Sequence, residues 1–470
     1  MAQQLTGIDS SFLSLESRTS PMHVMGVLLL DPSGMEGGYS FDKLITMMFD
    51  RIHLMPQLRR KLVEVPLGID HAHWIEDADF DLTRHVRRVD VVAPGNMRAL
   101  EGMVGEMAGT LLPRQYPLWE MVVVEGVQDG DKDGLVAVVS KMHHAIIDGV
   151  SGADLMVHMF DLSPEVRKVD APEEGFEGET PPSHFALFGK AVVNQATAPA
   201  RFIGEVAKNL PGIGKTAVNV VAKRRDTKLG MTAPKTPWNG ALSDKRAVAF
   251  ARSSLDDMKA IRKEHGCKIN DVILAATTLA LRDYLIEEDA LPDRPLAAAV
   301  PVALQKPEGQ ERLVNELATL LAPLPVQLDD PVEILKRIQA ATTASKELVN
   351  AVSAPGMMEW AGFVAPRLLN VFMGMYSKFE MADLHPPIQN IVVSNVPGPP
   401  IELWVAGAKV HAVIPMGPVM PGAGLNLTVL SNMGNVDVGI MADAKMVPEP
   451  WRIAEGFPRA IQTLKATKAA

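Results

Sequence analysis

The run Gly134-Leu135-Val136-Ala137-Val138-Val139-Ser140 is short and β-branched, and the turn-like Asp129-Gly130-Asp131-Lys132-Asp133 bounds it on one side. Such a run reads as a buried strand, and a chain that buries one must build a sheet around it. The strand runs on into an adjacent His pair and an Asp-Gly, Lys141-Met142-His143-His144-Ala145-Ile146-Ile147-Asp148-Gly149. Side chains alternate along a strand, so His144 is expected on the face of Val138, Ser140 and Met142, and His143 on the face of Val139 and Lys141. One imidazole then looks into a lined cavity while the other packs into structure. Asp148 falls on the turn leaving the strand, where Gly149 tolerates backbone angles that other residues avoid.

A neutral imidazole held at a strand end can take a proton from an alcohol near pH 7, because its unperturbed pKa is ~6.5. A His so positioned contributes ~10²–10⁴ in rate. The plainer alternative is a pair of satisfied structural histidines. No metal is expected, since zinc sites use three or four ligands and the chain has neither H-E-x-x-H nor paired C-x-x-C spacing. Cys267 and Ser151 are the nucleophiles nearest in kind to a covalent route, and neither sits in a G-x-S-x-G elbow.

The rest of the chain supplies two α/β halves. Before residue 162, strands are expected at Val24–Leu30 and Met121–Glu125 with helical stretches over 41–62 and 97–111. After residue 246, strands are expected at Ala247–Ala251, Leu296–Val302, Ile388–Ser394, Leu425–Ser431 and Val436–Met441, and helices at Leu255–His265, Asn270–Glu287 and Pro331–Ser353. Between the halves, residues 163–183 are rich in Pro, Gly and acid and read as an exposed linker. Residues 184–228 interleave Phe185, Phe188, Val192, Val193 and Phe202 with Lys190, Arg201, Lys208, Lys215 and Lys223. An amphipathic basic helix of that kind can lie in a lipid interface, or simply connect domains with a solvated basic face. The expected division is therefore 1–162, 163–245 and 246–470.

With 470 residues, 47% hydrophobic and 22% charged, the chain has the composition of a folded globular protein of more than one core. A net charge of −10 opposes bulk attraction to nucleic acid, and no nucleic-acid partner is expected. One cysteine excludes an internal disulfide. The N-terminal residues lack a secretion-signal pattern and no run approaches the ~20 apolar residues of a membrane span, so a cytoplasmic location is expected, with at most peripheral contact with the inner membrane or lipid droplets. Neither a dinucleotide Gly fingerprint nor a phosphate-binding P-loop is present, which argues against nucleotide phosphate chemistry.

The H-H-x-x-x-D-G pattern resembles the signature of coenzyme A-dependent acyltransferases, a superfamily that includes chloramphenicol acetyltransferase and peptide-synthetase condensation domains. Further blocks narrow the resemblance to the bacterial wax ester synthase/diacylglycerol acyltransferase family, over about residues 5 to 460. They are Leu5-Thr6-Gly7-Ile8-Asp9-Ser10-Ser11-Phe12 with Glu16-Ser17-Arg18 and Pro21-Met22-His23-Val24, then Pro117-Leu118-Trp119-Glu120, Asn270-Asp271-Val272, Ser394-Asn395-Val396-Pro397-Gly398-Pro399 and Gly422-Ala423-Gly424-Leu425-Asn426-Leu427-Thr428-Val429. One departure is Pro113-Arg114, where members commonly carry an Asp-Arg pair, so no local ion pair is carried over from relatives.

The resemblance implies two chloramphenicol-acetyltransferase-like domains with a channel between them and His144 in its middle. It implies transfer of a long-chain fatty acyl group from acyl-CoA, a substrate and not a cofactor, to diacylglycerol or a long-chain alcohol, with His144 as general base, His143 orienting and Asp148 structural. Other outcomes compatible with the motif are a different hydroxyl or amine acceptor, a carrier-bound donor, or a silent protein that binds acyl-CoA or coats droplets. Trp119, Asn270, Asp271, Ser394 and Asn395 are the candidate substrate-binding residues. Each also has a plainer reading: Trp119 as core, Asn270 as a helix N-cap with Asp271 in the first turn, and Ser394-Asn395 as a turn leading to the rigid Pro397-Gly398-Pro399.

Overall fold

The apolar runs of both halves form sheets in the computed structural model, which describes residues 2–90, 93–147, 155–171, 178–198, 232–303, 317–352 and 366–468. Along the chain, β1 (Gln3–Gln4) and α1 (Gly7–Leu15) precede β2 (His23–Asp31). Then α2 (Phe41–Arg51), β3 (Arg60–Val63), β4 (His73–Glu76) and β5 (Val86–Asp90) lead to α3 (Glu101–Gly109) and the hairpin of β6 (Trp119–Asp129) and β7 (Lys132–His143). The second half runs β8 (Arg246–Ser254), α4 (Leu255–His265), α5 (Ile269–Glu287), β9 (Leu296–Ala303), β10 (Leu317–Leu324), α6 (Pro331–Val352), α7 (Pro366–Lys378) and β11 (Ile391–Pro397). It ends with β12 (Trp404–Val405), β13 (Ala408–Met416), β14 (Leu425–Asn432), β15 (Asn435–Asp443) and α8 (Trp451–Ala466).

Among the described residues two six-stranded sheets form, ordered β12-β13-β2-β7-β6-β5 and β10-β9-β11-β14-β15-β8, beside a small β1-β4-β3 sheet. The architecture is α/β in two sheet-centred halves, as the sequence suggested. The halves are nevertheless interlocked. Strand β13 belongs to the second half in sequence but pairs antiparallel with β2 of the first sheet, from Lys409↔Asp31 to Met416↔Met25. It passes so close to β15 that a Cβ on Gly439 would lie 2.0 Å from the Pro415 carbonyl oxygen, so only glycine fits that crossing.

Alternation along the first sheet divides its side chains between two cores. Val27, Leu29, Val122, Val124, Ala137 and Val139 pack into one shared with α4, α5, α8 and the second sheet. Trp119, Met121, Val123, Val136 and Val138 pack on the other side, against α2 and the N-terminal segments. Strand β7, between β2 and β6, is therefore buried on both faces.

Helix ends obey local chemistry. Helix α4 starts where Ser254 accepts the Asp257 N–H at 3.2 Å, places Asp256 and Asp257 in its first turn, and stops at Gly266 in the left-handed region, φ 61°. Three expectations need correction. The helix expected over 41–62 ends at Arg51, because Pro56 cannot continue it, and Arg60–Val63 is a strand. Asn270 is not the N-cap of α5: that position is Lys268, and Asp271 reaches back to accept the Lys268 N–H at 2.9 Å. Ser394 and Asn395 do not form a turn but lie within β11, opposite Thr428 and Val429 of β14, and the strand runs on to Pro397.

Residues 178–183 of the expected linker carry no regular structure, and residues 184–198 are helical. That helix buries Leu187 and Ala191 and leaves Phe185, Val192 and Val193 exposed. Residues 199–228 of the basic segment lie outside the described residues. Among the described residues, no helix is long and apolar enough to cross a membrane.

Candidate active site

Strand β7 delivers the motif from the centre of its sheet. His143 is its last residue, opposite His23 of β2, and its N–H donates to the Leu118 carbonyl at 2.9 Å. His144 leaves the ladder. Its N–H donates to the Met22 carbonyl at 2.8 Å, and it opens a single 3₁₀ turn, His144–Ile146. Strand alternation therefore sets the direction of His143, while the turn sets that of His144.

The turn is held by the neighbouring His. Nδ1 of His143 accepts the Ala145 N–H at 3.0 Å, so His143 acts as N-cap of the turn that carries His144. An Nδ1 that accepts has no proton, which puts the proton of the neutral ring on Nε2.

Nε2 of His143 faces a buried carboxylate. Glu16 is the C-cap of α1, and its Oε1 lies 3.2 Å from His143 Nε2 and 3.4 Å from His23 Nε2. These contacts are not in line, so they act mainly through charge and dipole rather than as straight hydrogen bonds. The other oxygen, Oε2, accepts from Arg114 Nη2 at 3.0 Å, and Arg114 also reaches Glu64 and the Leu13 carbonyl, each at 3.1 Å. Where the sequence departs from its relatives, Arg114 makes an ion pair nonetheless. Burial alone would raise the Glu16 carboxyl, but its contacts with His143 and His23 outweigh it and hold the group far below the usual carboxylate range. Burial pushes His23 down to about 4, against the pull of Glu16.

His144 itself is half-buried and stacks on Phe12 of α1, with ring centroids 3.9 Å apart and planes at 15°. Burial lowers its pKa, so the ring is neutral near pH 7. Its Nδ1 has no hydrogen-bond partner among the described residues. A buried polar atom left unsatisfied is uncommon and concentrates attention on that side chain. A cavity of about 130 Å³ adjoins the turn, lined in part by Thr6, Asp9, Ala145 and Ile146. Asp148 and Ser151 lie outside the described residues.

The remaining candidates are dispersed. Trp119 is 1% exposed, stacks on His85 at 4.6 Å, and donates its indole N–H to the Leu58 carbonyl at 2.7 Å. Nothing of the ring is left to line a tunnel, and its position is one of packing. Asp271 is buried with both oxygens engaged, by the Lys268 N–H and by Thr342 Oγ1 at 2.8 Å, and so ties α5 to α6. Asn270 is half-buried beside it. Cys267 is buried and its thiol is pushed up to about 11, which makes it a poor nucleophile.

Ser394 has a route to the motif through the sheets. It pairs with Thr428, whose Oγ1 accepts the Gly417 N–H at 3.2 Å just beyond β13, and Met416 of β13 pairs with Met25, two residues from His23. The Gly422–Val429 block thus meets the first sheet at the end where the two histidines emerge. Lys141, on the face of His143, is fully buried; it caps α3 by donating to the Met107 and Thr110 carbonyls at 2.9 and 2.8 Å, and pairs with Glu120 at 2.7 Å.

Sequence reasoning had assigned no role to Phe12, Glu16, His23 or Arg114. Phe12, Glu16 and His23 were marked only by lying in family-like blocks and Arg114 only by the departure beside it, since residues so far apart in sequence carry no spacing signal.

Comparison with known proteins identifies the family of the chain. Residues 5–273 match the family described as wax ester synthase/diacylglycerol acyltransferase catalytic domain, and residues 313–465 match the WS/DGAT C-terminal domain. A relative from Mycobacterium tuberculosis, provisionally named a diacylglycerol O-acyltransferase, is 33% identical over 465 residues, covering 98% of this chain and 90% of its own. A similarly named relative from Mycobacterium bovis is 32% identical over 462 residues, 97% of each chain. The solved wax ester synthase/diacylglycerol acyltransferase from Marinobacter aquaeolei VT8 shares the fold with a TM-score of 0.67, 24% identity and 98% coverage of both chains. The starter condensation domain of rhizomide synthetase, solved with C8-CoA, superposes with a TM-score of 0.54 at 12% identity, covering 100% of this chain and 95% of its own. With both family domains matched in order along the chain, this protein belongs to the wax ester synthase/diacylglycerol acyltransferase family.

Proposed function

We propose that this acyltransferase moves a long-chain fatty acyl group from acyl-CoA to the hydroxyl of diacylglycerol or of a long-chain alcohol, with His144 as general base. The observation that carries the reading is a neutral, half-buried imidazole with an unengaged Nδ1, set on a capped turn at the end of a central strand.

The chemistry balances without a covalent enzyme intermediate. His144 takes the hydroxyl proton as the alcohol oxygen forms its bond to the thioester carbonyl carbon. The tetrahedral intermediate then breaks its C–S bond, and the imidazolium returns the proton to the departing thiolate, leaving an ester and free coenzyme A. Thiols ionise near pKa ~8.5, so the leaving group is already competent and the larger demands are positioning and charge stabilisation. Each donor facing the oxyanion adds ~3 kcal/mol. Asp148 would hold the motif turn. Peripheral contact with a lipid surface fits the exposed Phe185, Val192 and Val193 of helix 184–198.

Mass spectrometry of products after incubation with palmitoyl-CoA and either dioleoylglycerol or hexadecanol tests the reading. Triacylglycerol, wax ester or both would support it and name the acceptor. Binding of palmitoyl-CoA with no ester formed from either acceptor would replace it with a lipid-binding role.

A further inference from the structure

We infer that Glu16 is a positioning residue for the His pair: its carboxylate, clamped between His143, His23 and Arg114, fixes the tautomer of His143 and thereby the turn on which His144 sits. The inference rests on the reading of His144 as the base.

Three links connect Glu16 to the motif. The first is electrostatic. Oε1 lies 3.2 Å from His143 Nε2, and a negative charge there favours the form of the ring with its proton on Nε2. Nδ1 is then left free to accept the Ala145 N–H, which starts the turn. The opposite tautomer would put two N–H groups face to face at Nδ1 and leave a bare nitrogen lone pair against the carboxylate. The second link is through β2. His23 stands opposite His143 in the sheet and shares Oε1 of Glu16 at 3.4 Å, so one carboxylate oxygen serves both rings. The third link is through the backbone of α1. Glu16 ends α1 with its N–H on the Phe12 carbonyl at 3.1 Å, and the Phe12 ring lies on His144. The same residue thus fixes both the ring that caps the turn and the helix whose Phe12 covers the base.

Burial makes the arrangement costly unless it is used. The side chains of Glu16, His143 and His23 are 5%, 1% and 2% exposed. A carboxylate this deep needs its partners, and the in-line bond it receives comes from Arg114. Arg114 is anchored in turn by Glu64, so the clamp reaches the surface without letting water to the histidines. Glu16 is assigned no contact with His144 or with a reacting atom. Its effect should therefore appear in turnover rather than in substrate affinity.

The test compares Glu16→Gln with His144→Ala in the purified full-length protein, using palmitoyl-CoA and the better of dioleoylglycerol and hexadecanol. Glu16→Gln should lower kcat roughly 10- to 100-fold with KM for both substrates within about twofold, the signature of a misplaced base. In histidine-¹⁵N-labelled protein at pH 7.5, the His143 ring should report the Nε2–H tautomer in the wild type and lose that preference in Glu16→Gln. Wild-type kcat in a folded Glu16→Gln protein would overturn the inference, as would an Nδ1–H tautomer of His143 in the wild type; the second result needs no variant to fold. If His144→Ala keeps full activity, the base assignment falls. If His144→Ala is inactive while Glu16→Gln is normal, only the role of Glu16 falls.

Discussion

The two ends of the β6–β7 hairpin carry clusters of the same ingredients put to opposite use. At the turn end, Asp129 of β6, His411 of β13, Arg252 of β8 and Asp437 of β15 are joined by good hydrogen bonds: Arg252 Nε to Asp437 at 2.7 Å, His411 Nε2 to Asp129 at 3.1 Å, and the Val413 N–H to Asp437 at 2.9 Å. This cluster stitches strands of both sheets together and is partly open to water, with the Arg252, Asp129 and His411 side chains 22–28% exposed. At the motif end, His143, His23 and Glu16 are far more deeply buried yet less well bonded, and His144 Nδ1 beside them has no partner among the described residues. A saturated network fixes a fold; an unsatisfied one, held in place by its surroundings, is what a site needs.

Substitutions and acid should separate the two ends. The largest effect should fall on turnover at the motif end: His144→Ala is expected to lower kcat by ~10²–10⁴ with Tm essentially unchanged. Acid should next distinguish the clusters. His23 is held at about 4, below its ordinary 6.5, so it contributes stability that is complete above pH 6.5 and is lost as pH falls towards 4. That amounts to on the order of 3 kcal/mol. Glu16, also depressed, adds loss only below its ordinary 4.5, outside most of that window. Denaturant unfolding at pH 7 and pH 4.5 should show a drop in the wild type and a smaller one in His23→Gln, the remainder coming from His73, His85 and His144, which burial also lowers; equal drops would count against the buried neutral His23. Arg252→Ala, which leaves Asp437 buried without its cation, should cost about 2 kcal/mol in urea unfolding and leave kcat per folded molecule unchanged. The smallest effect belongs to Trp119→Phe, which deprives the Leu58 carbonyl of its donor. About 1 kcal/mol of stability should go, with KM for acyl-CoA unaltered, whereas a raised KM would restore Trp119 to the acyl path.

Strands with β-branched runs and helices with strong caps were legible in the sequence. Leu255–His265 is an example: Ser254 before it, two Asp in its first turn and Gly266 after it leave little choice. The helix expected to reach 62 shows the limit of periodicity, because the apolar spacing continues past Pro56 while the backbone cannot. Strand β13 also alternates, with Ala408, Val410, Ala412, Ile414 and Met416 buried, but nothing local reveals that its partner is β2, nearly the whole chain away. The site divides in the same way. The His pair announces itself because strand and motif are contiguous. The Glu16, His23 and Arg114 cluster forms only when β2, α1 and the segment before β6 converge, and no window of sequence contains it. Ser394 and Asn395 were drawn towards a turn by the adjoining Pro-Gly-Pro, whereas the ladder to β14 extends through Pro397.

Whether a neutral His144 takes the acceptor's proton is decided by thiol release from palmitoyl-CoA with dioleoylglycerol, with hexadecanol and with no acceptor, for wild type and His144→Ala between pH 5 and 9. Release should depend on acceptor, rise to a plateau with an apparent pKa below 6.5, and collapse by orders of magnitude in the variant. Equal rates for the two proteins, at any pH where both are folded, would rule His144 out as the base.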